Sequence, residues 1–139
     1  MRFMMIVRAS KASEAGVMPE EARLAEMGKY NEELANAGVL LAADGLHPSA
    51  NGVRVRFDGE RPSVVEGPFE TREVVAGFWL IQVKSKEEAI EWAKRSPNPM
   101  PGSVGEIEVR QVFSAEDFGA ELTPELRDAQ ERLRSQLAL

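Results

Sequence analysis

His47 is the only histidine in the chain, and Asp44 stands three residues before it. A carboxylate at that spacing can orient an imidazole and raise its basicity, as proton abstraction from a carbon acid requires. The same residues also read as scaffold. Asp44-Gly45 suits a turn, and His47-Pro48 suits an extended pair, because the residue before a proline is pushed out of the helical region. A second polar group, Glu66, Glu70, Arg72 and Glu73, brackets the Gly67-Pro68-Phe69 turn. An arginine fork suits a carboxylate or phosphate, which makes Glu66, Arg72 and Glu73 candidate contacts for a small polar ligand. The alternative is a solvated turn held by weak surface ion pairs. Glu106, Glu108 and Arg110 alternate along one later stretch. They suit either ligand contacts or the charged face of an edge strand.

Composition removes several kinds of chemistry. The chain has no cysteine, which excludes disulfides, thiolate zinc sites, iron–sulfur clusters and cysteine nucleophiles. One histidine and scattered acids give no metal-ligand spacing. The glycines form no phosphate loop, and no G-x-S-x-G elbow is present. Neither a metal nor a cofactor is expected. The net charge of −6 argues against nucleic acid and against an anionic membrane surface as partners. The N-terminal MRFMMIVRAS carries too short an apolar run for a signal peptide, and no run reaches membrane-spanning length. A cytoplasmic chain is the expectation.

The elements that must hold these residues follow from hydrophobic period. At 139 residues, 43% of them hydrophobic, the chain is long enough for one domain with a real core. Residues 2–8 read as a strand with both faces apolar, hence central. A loop over KASEAGVM follows. Pro19 then suits the first turn of a helix reaching about Ala37, with Gly38 as its stop. Residues 39–43 make a short strand. Val53, Val55 and Phe57 alternate with Arg54, Arg56 and Asp58, a strand with one wet face. Asp58-Gly59 signals a hairpin back through Ser63–Glu66. Val74, Phe78 and Leu80 line one face of the next strand; Val75, Trp79, Ile81 and Val83 line the other, so it too is central. Ser85 and Glu88 form a capping box for a helix over Lys86–Arg95. An edge strand follows with Ile107, Val109 and Phe113 inward. Thr123 and Pro124 start a last helix striped with Leu126, Ala129, Leu133 and Leu137.

This order predicts an α+β fold: a ferredoxin-like βαββαβ unit with an inserted hairpin and an extra C-terminal helix. The domain spans 1–118 and the helical extension 119–139. The 3–7 and 74–83 strands should sit side by side in the middle of a 4-1-3-2 sheet. Helices cover only one face of such a sheet. The other face is apolar at its centre, and a second copy covering it is the simplest remedy.

MRFMMIVRA, KYNEELANAGVLLA, GLHPS, VEGPFETREVVAGFWLIQVKSKEEAIEWAKRSP and EIEVRQVF together resemble the YCII-related, or DGPF-domain, family over about residues 1–118. The resemblance implies a homodimeric α+β barrel. It also implies, for better-studied members, a His–Asp pair with the histidine near the first long helix. This chain has Glu26, Met27 and Lys29 there, and Glu66 where the family motif begins with aspartate. Some relatives are linked to sigma-factor pathways. Two functional readings follow: a small-ligand-binding or regulatory protein, or a cofactor-independent enzyme performing proton abstraction or elimination on a small organic substrate, with Asp44 and His47 as its base and orienter.

Overall fold

The computed structural model describes residues 1–137. Its main sheet holds β1 (Arg2–Arg8), β2 (Leu40–Gly45), β5 (Val75–Gln82) and β6 (Ile107–Gln111), in the order β2-β5-β1-β6 with antiparallel pairing throughout. β1 and β5 are adjacent and central, as their doubly apolar sequences predict, and β6 lies at one edge. The remaining strands, β3 (Val53–Asp58) and β4 (Arg61–Glu66), form a separate hairpin.

The core lies on one side of the sheet. Phe3, Met5 and Val7 of β1 and Trp79 and Ile81 of β5 point into it. Two helices cover them: α2 (Glu21–Asn36) through Tyr30 and Leu34, and α3 (Lys86–Lys94) through Ala89 and Trp92. Burying these side chains contributes roughly 1.5–3 kcal/mol each. Two polar groups are carried into this layer with their partners. The Tyr30 hydroxyl donates to the Trp92 carbonyl at 2.5 Å, and the Trp79 indole N–H donates to Asn31 Oδ1 at 2.7 Å. Burial pushes the Tyr30 phenol up to about 12, against the opposing pull of the nearby Arg95 charge.

Several expectations are corrected. The KASE stretch is a short helix, α1 (Lys11–Glu14), because Ser10 and Ser13 form a reciprocal capping box. Helix α2 begins after Pro19, with Glu20 as its N-cap. Asp44 and Gly45 are not a turn. They extend β2 opposite Phe78 and Gly77, because the β5 backbone continues the ladder past Ala43. The hairpin has no dry face: Val55 and Val64 face each other yet are 51% and 62% exposed, since no other element covers them. Phe113 falls beyond β6, is exposed, and meets Phe118 with ring centroids 5.2 Å apart.

The last helix, α4 (Pro124–Gln136), starts as expected, with Thr123 Oγ1 accepting from the Leu126 N–H. None of its residues is buried. The final two residues of the expected extension lie outside those described.

Candidate functional site

Alternation along α2 sets one wall of a cavity. Arg23, Met27 and Asn31 recur every four residues, so they share the face turned to the sheet. Opposite them stand Val7, Ala43, Gly77 and Trp79, while Met18 and Met100 come from the loops at either end. This open cleft has a volume of about 1080 Å³, the size of a pocket for a small organic molecule. Gly77 is small because a Cβ there would meet the Asp44 carbonyl oxygen at 3.0 Å.

Few polar side chains reach it. Asn31 is held by Trp79: indole N–H groups only donate, so the amide oxygen must face the ring nitrogen and the amide NH2 is turned away. That NH2 has no hydrogen-bond partner among the described residues. Arg23 Nη1 meets Glu26 Oε2 at 3.2 Å. Its Nη2 is buried and has no partner among the described residues. Such a stranded donor costs about 1–3 kcal/mol. The Ser10 and Ser13 hydroxyls, also in the lining, are committed to each other's backbone.

The residues singled out from sequence fall elsewhere. Asp44 borders the cavity, but its side chain shares the Phe78 side of the ladder, away from the helices. His47 is exposed on the following loop, where Nδ1 approaches Asn51 Nδ2 at 3.5 Å. No hydrogen bond or ion pair joins Asp44 to His47 among the described residues. Glu66 closes the ladder at the base of the hairpin, opposite Val53. Arg72 pairs with Glu70 at 3.2 Å, and Glu73 with Arg54 at 3.5 Å. The Arg54 guanidinium also lies 3.9 Å from the centre of the Phe69 ring. None of Glu66, Arg72 and Glu73 lines the cavity.

The Gly-Pro-Phe turn has a structural occupation. Ser49, 9% exposed, accepts from the Phe69 N–H at 3.0 Å through Oγ. Its own N–H and hydroxyl both donate to the Glu14 carboxylate. Glu14 thus ties α1 to the 49–51 turn, and Ser49 ties that turn to Phe69. A Cβ at Gly67 would overlap the Ser49 carbonyl, so only glycine fits.

Sequence reasoning missed Arg23 and Asn31. The signal was their spacing: Arg23 precedes Met27 by four, and Asn31 follows it by four, on the face that Tyr30 and Leu34 bury. Among the described residues no three acidic or histidine side chains gather as a metal site, and no helix is long and apolar enough to cross a membrane.

The model of the YCII-related domain matches residues 1–114. An uncharacterized protein of Rhizobium meliloti (strain 1021) is 32% identical over 94 residues, which is 67% of this chain and 75% of that protein. Among solved structures, the 5-chloro-2-hydroxyhydroquinone dehydrochlorinase of Burkholderia phenoliruptrix AC1100, in complex with 2,5-dihydroxybenzoquinone, aligns with a TM-score of 0.48 at 11% identity. That alignment covers 86% of this chain and 100% of the dehydrochlorinase.

Proposed function

The chain belongs to the YCII-related family, and from that premise we propose that it is a small-ligand-binding protein whose site is the cavity between α2 and the sheet. One observation carries the reading: a space of about 1080 Å³ beside an otherwise closely packed core, walled mainly by apolar side chains. An apolar cleft of that size can bury most of the surface of a small organic molecule. The binding reading requires only this concavity. The enzyme reading from Asp44 and His47 requires their pairing as well, and His47 approaches Asn51.

The working unit we propose is a homodimer of the α+β barrel type. Met4, Ile6, Phe78 and Leu80 form a half-exposed apolar patch on the helix-free face of the sheet, and a second copy is the natural cover. Light scattering at micromolar concentration should return twice the chain mass; a folded monomer would remove this part of the proposal.

Binding is tested by titrating 15N-labelled protein with p-cresol. The Trp79 indole N–H and the Asn31 and Gly77 signals should shift together and saturate. Shifts confined to the 66–73 turn, or none at all, would count against the cavity.

A further inference from the structure

Carboxylates apart, the nitrogen-bearing side chains of the cavity offer donors. Trp79 engages the amide oxygen of Asn31, whose two amide hydrogens have no partner among the described residues. Arg23 can only donate. The Ser10 and Ser13 hydroxyls are spent on the α1 cap, and the Ser103 hydroxyl donates to the Met100 carbonyl. The carboxylates run the other way. Glu26 already balances the Arg23 charge, and Glu20 adds a further negative charge at the first turn of α2. With no lysine in the lining, an anionic ligand meets a site of net negative charge. Met18, Met27 and Met100 supply adaptable, polarizable walls that suit a flat apolar body.

Taking the cavity as the ligand site proposed above, we infer that its ligand is uncharged, has an apolar and preferably aromatic body, and presents an acceptor oxygen to Asn31 Nδ2. Trp79 is the positioning residue. Its indole N–H fixes which end of the amide faces the cavity, so the donor needs no reorientation when ligand arrives. Arg23 is not the first contact, because its guanidinium is already paired with Glu26 and its Nη2 is buried.

Three probes of similar shape separate the possibilities: acetophenone with a neutral carbonyl, ethylbenzene without one, and benzoate with a charge. Affinities are measured by NMR titration for the natural chain and for Asn31→Asp. That variant keeps an acceptor for the Trp79 N–H while removing the donor. The natural chain should bind acetophenone about three- to ten-fold more tightly than ethylbenzene, the range of one neutral hydrogen bond, and more tightly than benzoate. Asn31→Asp should abolish the preference for acetophenone over ethylbenzene. Equal binding of acetophenone and ethylbenzene overturns the inference and leaves the cavity reading standing. Tightest binding of benzoate overturns the uncharged ligand. Binding of none of the three removes the cavity reading itself. Should Asn31→Asp not fold, the probe series on the natural chain decides alone.

Discussion

Replacing Gly67 with alanine tests why the Gly-Pro-Phe turn has its sequence. The new Cβ would overlap the Ser49 carbonyl oxygen and sit 2.7 Å from its carbonyl carbon and 3.3 Å from the Ala50 nitrogen. Comfortable carbon–carbon contact needs roughly 3.5–4.0 Å, so the two turns must separate by about 1 Å. The obstacle is backbone and cannot rotate away. That movement stretches the Gly67 N–H bond to the Gly52 carbonyl and the Phe69 N–H bond to Ser49 Oγ, both now 3.0 Å. Two neutral hydrogen bonds at about 1 kcal/mol each, plus about 1–3 kcal/mol for an overfilled contact, predict a loss of about 3–5 kcal/mol. The assay is urea unfolding followed by tryptophan fluorescence. With a slope of about 1–3 kcal/mol/M, the midpoint should fall by more than about 1 M. Gly28→Ala is the control, since nothing lies within 4 Å of a Cβ there. If Gly67→Ala unfolds within about 0.5 kcal/mol of the natural chain, the close approach to Ser49 is not what the glycine serves.

Gly28→Ala itself should raise stability by up to about 1 kcal/mol, because Gly28 is an exposed interior position of α2; a loss in the same urea assay would contradict this. Leu34, fully buried between α2 and the sheet, should cost about 2–5 kcal/mol as alanine, and a cost under 1 kcal/mol would mean the helix packs elsewhere. The Tyr30 phenol is raised from 10.0 to about 12 in the folded chain, so its stabilising contribution is complete below pH 10 and is lost as pH climbs through 12. Denaturation at stepped alkaline pH should show the natural chain losing up to about 3 kcal/mol relative to Tyr30→Phe across that window; parallel curves would refute the buried phenol.

The strand order was legible because β1 and β5 carry apolar residues at both odd and even positions, which only a central strand tolerates. The Ser85 cap and the Thr123-Pro124 start were legible because caps are local chemistry. The misreadings share one cause: they depended on partners distant in sequence. Asp44 carries a turn signal with Gly45, yet β5 supplies a ladder partner that extends β2 through both. The alternating hairpin suggested one covered face, but alternation cannot reveal whether any element arrives to cover it. Ser49 lay inside a quoted motif and still gave no hint of Glu14, thirty-five residues earlier in the chain. Asn31 and Arg23 went unmarked because a helix face is read from its apolar residues, and both are polar. Their spacing around Met27 sets them on the buried side, where a polar residue calls for a partner or a purpose.

The proposed ligand site is tested most directly by crystallising the protein with 4′-bromoacetophenone and locating the bromine from its anomalous signal. The account predicts a peak inside the cavity among Met18, Met27 and Met100, with the carbonyl oxygen at hydrogen-bonding distance from Asn31 Nδ2. A peak on the helix-free face of the sheet or at the Gly67-Pro68-Phe69 turn, or a cavity closed by repacked side chains, would contradict it.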